Sequence, residues 1–113
     1  MLGQSIVGIV SAILLAAPGG DTRLSDAAMQ GDREAVKLLL EQNVDVDAAQ
    51  ANGNTALHWA AYRNDLEMAR LFIQRDANVL VKTRGSGFTP LSMAAQNGHP
   101  VMIELLLKAG ADA

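Results

Sequence analysis

A block of sequence returns three times at an almost constant interval, and that repetition restricts the fold more tightly than any single residue does. The copies run from Leu24 to Asn43, from Leu57 to Asp76 and from Leu91 to Gly110. Their leading leucines lie 33 and then 34 residues apart, and so do the first alanines of the pairs Ala27-Ala28, Ala60-Ala61 and Ala94-Ala95. Each copy reads Leu-x-x-Ala-Ala, a polar turn, an aliphatic run and a second turn. The runs are Val36-Lys37-Leu38-Leu39-Leu40, Ala69-Arg70-Leu71-Phe72-Ile73 and Ile103-Glu104-Leu105-Leu106-Leu107. The extra residue of the second interval falls between Asn78 and Gly87, so it is expected to lengthen a loop and leave the helices intact.

Local chemistry predicts two short helices and a loop in each copy. Thr55 and Thr89 are placed to cap a helix, because a threonine hydroxyl accepts one of the unpaired N–H groups of the first turn. Pro90 then stands at the first helical position, where its missing N–H costs nothing. The first helices are predicted over 56–63 and 90–97, closed by Asn64 and Gly98, residues that tolerate positive φ. The second helices are predicted over 33–42, 66–75 and 100–109, with aliphatics such as Val36, Leu39 and Leu40 recurring on one face. Helices this short are unstable alone in water. Stacking must hold them, with the Ala-Ala pairs allowing close approach and the leucines filling the layers. The fold class is therefore an all-α repeat solenoid of stacked helix-turn-helix units joined by hairpin loops. Its copies span about 21–49, 50–82 and 83–113.

Composition narrows the function classes. A chain of 113 residues with 50% hydrophobic content has room for one modest core, and a net charge of −3 argues against binding nucleic acid, which calls for a basic patch. With no cysteine there is no disulfide and no thiolate metal site. Residues 1–20 differ from the rest: they carry no charged side chain, and Ile6 to Ala17 is apolar except for Gly8 and Ser11. That length suits the apolar region of an export signal better than a membrane span of about 20 residues. Ala17-Pro18-Gly19 then offers a small-residue processing site, although the usual Lys or Arg ahead of the apolar stretch is missing. A cleaved signal predicts a periplasmic or secreted domain starting near Asp21. An uncleaved anchor or a helix packed on the first repeat are the other readings, with a membrane-anchored or cytoplasmic chain as their consequence.

The stretches Gly53-Asn54-Thr55-Ala56-Leu57-His58-Trp59-Ala60-Ala61 and Gly87-Phe88-Thr89-Pro90-Leu91-Ser92-Met93-Ala94-Ala95-Gln96-Asn97-Gly98-His99 resemble the ankyrin repeat, whose pattern is Gly-x-Thr-Pro-Leu-His-x-Ala-Ala-x-x-Gly-His. The ending Leu105-Leu106-Leu107-Lys108-Ala109-Gly110-Ala111-Asp112 resembles that family's Leu-Leu-Leu-x-x-Gly-Ala-Asp. Ala56 stands for the Pro, Ser92 for the His, and Asn64-Asp65 for Gly-His. The resemblance implies that Thr55, Leu57, His58, Ala60, Ala61, Thr89, Pro90, Leu91, Ala94, Ala95 and Gly98 are structural, with His58 bonding loop backbone between adjacent repeats.

No catalytic residue stands out. His58 and His99 have no recognisable nucleophile, acid or base partner in sequence, and two histidines in different repeats lack chelating spacing. Gly85-Ser86-Gly87 lacks the Gly-Lys-Ser/Thr ending of a phosphate loop and reads as a hairpin tip, flanked by solvated Lys82 and Arg84. Asp45 and Asp47 read as turn formers. No cofactor or metal is called for. What remains is a surface for another protein, which in ankyrin-like folds lies on the hairpin tips and the exposed side of the first helices. Carried onto this chain, the resemblance implies Asn52, Asn54, Trp59, Tyr62 and Arg63, with Ala49 and Ala51, in the middle copy. In the last copy it implies Ser86, Phe88, Met93, Gln96 and Asn97, with Thr83 and Gly85. Trp59, divided between packing and recognition, joins Tyr62 and Arg63 as the residue types that dominate interfaces.

The expected function is a non-catalytic protein-interaction module, exported if the leader is a signal. A membrane-tethered scaffold and the repeat portion of a longer enzyme are the alternatives. The last helix keeps Leu105, Leu106 and Leu107 where a terminal repeat needs a polar outer face, so the expectation is either a longer repeat array of which this is a fragment, or an open end covered by a partner or by self-association with a second copy.

Overall fold

The computed structural model describes residues 21–111. The apolar leader lies outside the described residues, as do the last two positions. Six helices follow one another: α1 (Arg23–Gln30), α2 (Arg33–Glu41), α3 (Ala56–Arg63), α4 (Leu66–Gln74), α5 (Pro90–Gln96) and α6 (Pro100–Lys108). They form three antiparallel pairs, and the first helices α1, α3 and α5 stack on one another in order. The architecture is the all-α repeat solenoid that the periodicity predicts. Helix α3 has the predicted span, whereas α2, α4, α5 and α6 each stop one residue earlier than expected.

The helix starts follow from the residues in front of them. Thr55 and Thr89 are extended and accept from the N–H of His58 and Ser92, while the side chains of His58 and Ser92 return the bond to the Thr N–H. Two otherwise unpaired donors are satisfied at each end in this way. Asp32 and Asp65 cap α2 and α4 by accepting from Ala35 and Met68 at 3.1 Å.

All six helices end in the same manner. A residue with φ between 57° and 108° follows each one: Gly31, Asn43, Asn64, Asp76, Gly98 and Gly110. The next N–H reaches back five residues to close the last turn, as in Asp32 to Ala27 (3.0 Å), Asp65 to Ala60 (2.9 Å) and His99 to Ala94 (3.0 Å). These are Schellman endings, and they turn the chain sharply enough to lay the second helix back on the first.

The layers between repeats are apolar. Leu57, Ala60 and Ala61 of α3 and Met68, Ala69 and Phe72 of α4 are each at most 1% exposed, and Val36, Ala94, Met102 and Leu106 are fully buried. Truncating one of the large members, as in Leu57→Ala, removes about 2–5 kcal/mol. The last helix does not turn all three leucines outward: Leu106 is buried, Leu105 is half-buried and Leu107 is exposed.

Hairpin loops join the pairs. Gln50 N–H donates to the Asn54 carbonyl at 2.9 Å, and the equivalent bond in the next loop runs from Thr83 to Phe88 at 2.8 Å. Three residues separate the first couple and four the second, so the extra residue sits at the second tip, within Arg84 to Gly87. The two tips meet where Arg84 N–H donates to the Asn52 carbonyl at 2.9 Å. Gly53 permits that approach, since a Cβ there would lie 2.7 Å from the Arg84 nitrogen. Asp45 makes the expected local turn, accepting from Asp47 N–H at 2.9 Å. Asp47 does not: its carboxylate reaches the next repeat and accepts from Asn78 N–H at 2.8 Å. The two loops run side by side, and that brings a donor 31 residues away within reach.

Asp76 holds a left-handed backbone (φ 62°) at the negative end of α4. Glycine removes both the side-chain strain and the unfavourable charge. Asp76→Gly is expected to stabilise the fold by about 0.5–1 kcal/mol, read as a higher urea midpoint. A lower midpoint contradicts this account of the helix end.

Candidate partner-binding surface

Register places the outward residues of the three first helices in rows. Asp26, Trp59 and Met93 form one row, and Met29, Tyr62 and Gln96 form the next, each member 33 or 34 residues after the last. Helical spacing brings both rows to the side that looks toward the hairpins. Trp59 shows this directly, since its indole N–H donates to the Gln50 side-chain oxygen at 2.9 Å, and Gln50 belongs to the hairpin.

Gln50 is the hub of the groove. Its amide nitrogen donates to Asp26 Oδ1 at 2.8 Å and lies 3.8 Å from the Met29 sulfur. Asp26 Oδ2 accepts in turn from the Thr22 hydroxyl at 3.2 Å. The Tyr62 ring stands edge-on to Trp59, with centroids 5.8 Å apart and planes at 87°, an arrangement aromatic quadrupoles favour. Tyr62 is 53% exposed, so the pair is held in place and still open to solvent.

The remaining predicted surface residues divide into groups. Arg63 reaches across to the first repeat and donates to the Met29 carbonyl at 3.1 Å, its guanidinium lying where a Cβ at Gly31 would collide with it. It therefore also caps α1. Met93 is half-buried and packs against the core, and Gln96 is exposed beside it. The amide of Asn97 donates to the Met93 carbonyl at 2.8 Å. At the hairpin tips, Asn52 accepts from Asn54 N–H at 3.0 Å and Ser86 lies 3.4 Å from the Thr83 hydroxyl. Asn54 buries a side-chain oxygen that has no partner among the described residues. Phe88 is half-buried, and its backbone is pinned by Thr83 on both sides.

Asp26, Met29 and Gln50 belong to this groove and were not among the residues expected from sequence. The signal that finds Asp26 and Met29 is the repeat itself, because they lie one period before Trp59 and Tyr62. Gln50 had no comparable signal, as its role depends on a bond between loop and helix.

His58 has a different part. It is fully buried. The Thr55 N–H can only donate, so Nδ1 accepts it at 3.0 Å and the proton sits on Nε2. Nε2 donates to the Phe88 carbonyl of the following hairpin at 2.9 Å. Burial pushes the imidazole pKa below its ordinary 6.5, outweighing the carbonyls of Phe88 and Val81, which pull the other way. A neutral ring bonded to backbone at both nitrogens is a clamp between repeats. Among the described residues no group of three His, Cys, Asp or Glu side chains is placed to hold a metal.

Comparison with known proteins adds a family to this geometry. A family model described as ankyrin repeats, three copies, matches residues 24–113. Ankyrin repeat and SOCS box protein 3 of Bos taurus is 36% identical over 88 residues, which is 76% of this chain and 17% of that protein. Protein PhlB of Serratia liquefaciens is 37% identical over 91 residues, covering 80% of this chain and 40% of the relative. Palmitoyltransferase ZDHHC13 of Mus musculus is 36% identical over 86 residues, 76% of this chain and 14% of the relative. The chain thus spans less than half the length of each of these relatives.

The clamp gives a pH dependence whose sign follows from the lowered pKa. Below 6.5 the unfolded chain takes up a proton on His58 that the folded chain resists. Stability is therefore complete above about pH 6.5 and is lost as pH falls from there through the folded value, at up to about 1.4 kcal/mol per pH unit. Urea midpoints measured between about pH 5 and pH 7.5 are expected to fall with acidity in the native chain and to flatten in His58→Gln. An equal slope in both proteins would assign the effect to another group.

Proposed function

The chain belongs to the ankyrin-repeat family, and on that premise we propose that it is a non-catalytic protein-binding module whose partner seats in the groove between the first helices and the hairpins. Ankyrin repeats are protein-interaction modules. The observation that carries the placement is the Trp59–Tyr62 pair, because it offers a large aromatic surface at little further cost in side-chain freedom. Trp59 is braced by Gln50, Gln50 by Asp26, and Asp26 by Thr22, so two repeats hold one recognition element in position.

The repeat unit itself is proposed to be non-catalytic, the repeat portion of a longer enzyme being the alternative. The name of the Mus musculus relative is that of a transferase, yet the region shared with this chain is 14% of that protein. The His58 ring, bonded to Thr55 and to backbone, has no nitrogen free for proton transfer.

Export is the second part of the proposal, and it rests on the uncharged, apolar 1–20 segment. A membrane-tethered scaffold is the competing reading. Among the described residues no helix is long and apolar enough to cross a membrane, so tethering would fall to the leader.

Two measurements test these statements. Tyr62→Ala combined with Trp59→Ala is expected to weaken a captured protein partner about 30-fold or more, while the circular dichroism spectrum keeps its helical form. Undiminished binding moves the site out of the groove. Cell fractionation with N-terminal sequencing is expected to find a soluble exported chain beginning near Asp21. An intact N-terminus in the membrane fraction establishes the tether instead.

A further inference from the structure

The aromatic pair of the groove stands between two arginines. Arg63 follows Trp59 by four residues on α3, so the two lie on one face of the helix a single turn apart. Its guanidinium is exposed and commits Nη1 to the Met29 carbonyl at 3.1 Å. Arg84 approaches from the hairpin side. Its stem rests on the turn that Gly53 N–H closes to the Gln50 carbonyl at 2.8 Å, with Cγ 3.2 Å from where a Cβ at Gly53 would stand. Gln50 in turn holds the Trp59 indole.

Neither arginine is neutralised. Among the described residues the ion pairs run through Arg23, Arg33 and Lys37, and none through Arg63 or Arg84. The carboxylate of the groove, Asp26, is in the opposite condition. It is half-buried, and its two oxygens already accept from Gln50 at 2.8 Å and from Thr22 at 3.2 Å. A partner laid on Trp59 and Tyr62 also covers what lies beside them, and a guanidinium covered by apolar surface loses water without gaining a bond. A cationic segment adds like charge on both sides of the pair. A carboxylate replaces the lost bonds, and the guanidinium fork meets it through two N–H donors. Nucleic acid is a poorer match, because a phosphate backbone calls for a basic stripe and the chain carries a net charge of −3.

We propose that the groove recognises an acidic peptide segment, with an apolar side chain seated against Trp59 and Tyr62 and carboxylates on either side of it paired to Arg63 and Arg84. This rests on the protein-binding reading of the groove and deepens it by naming the chemistry of the partner.

Trp59 is the single tryptophan of the chain, so its fluorescence reports on the groove itself. The probe is the acetylated and amidated peptide Gly-Glu-Glu-Leu-Phe-Glu-Glu-Gly, titrated to about 1 mM into the full 113-residue chain at about 50 mM salt. The expected result is saturable binding that Gln in place of every Glu of the peptide weakens about tenfold or more, and that Lys in their place abolishes. Arg84→Glu and Tyr62→Ala are each expected to weaken it about tenfold, and Arg70→Glu, exposed on α4, to leave it unchanged. Arg84 is bonded through its backbone, so Arg84→Glu keeps the fold even if Arg63→Glu, which removes the bond to Met29, does not. No binding of the acidic peptide at the highest concentration overturns the proposal. So does equal or tighter binding of the Gln peptide, the Lys peptide or a single-stranded oligothymidine, or binding that Arg84→Glu or Tyr62→Ala leaves unchanged. Failure of the underlying reading looks different. A natural partner lost on Trp59→Ala with Tyr62→Ala but indifferent to Arg84→Glu keeps the groove and overturns the acidic chemistry, whereas a partner indifferent to the aromatic pair removes both.

Discussion

Contact between consecutive repeats is the constraint on which the rest of this structure depends, because helices of seven to nine residues do not persist alone in water. The two junctions meet that requirement by different means. At the first, arginines of the second repeat reach back to the carbonyl ends of the preceding helices, Arg63 to Met29 and Arg75 to Leu40 at 2.6 Å. The Arg33 and Lys37 ion pairs lie beside them. At the second junction the counterparts of Arg63 and Arg75 are Asn97 and Ala109, which are too short for the same reach. The polar link there passes through His58 to the Phe88 carbonyl and through Arg84 N–H to the Asn52 carbonyl.

The same asymmetry sets the surroundings of the aromatic pair, which belongs to the repeat that is supported from both sides. Trp59 and Tyr62 stand on α3, whose opposite face is filled by Leu57, Ala60 and Ala61. A side chain on such a helix is positioned by the stack and not by its own loop. The hydrogen-bonded chain from Trp59 to Thr22 then fixes the indole relative to the first repeat. Rigidity of this kind reduces the conformational entropy that binding would otherwise cost.

Much of the fold was legible from residues alone. Thr55, Thr89 and Pro90 mark helix starts, and Asn64 and Gly98 mark helix ends, each through chemistry confined to a few neighbouring residues. The extra loop residue could be bracketed from spacing, while its place at the second tip emerged from equivalent hydrogen bonds. The surface was legible in outline because register alone predicts which positions of α3 and α5 face outward. The bonds that individual side chains make were less so. Arg63 looks from sequence like an interface arginine, and Asp47 like a local turn former, yet both spend their polar groups on a neighbouring repeat. Gln50 carries no local pattern, although three side chains of the groove converge on it.

The sequence by itself determined the helix-loop periodicity, the family, and the division between positions that must recur for stacking and positions free to vary. Periodic burial and capping act over one or two helical turns, so a linear reading captures them. Tertiary structure alone decided which polar groups distant in sequence meet: Arg75 with the Leu40 carbonyl, Gln50 with Asp26, and the Phe88 carbonyl as the particular partner of the His58 clamp that the resemblance implies. Those outcomes depend on the distance between elements after the chain has stacked, and no local residue pattern encodes that distance.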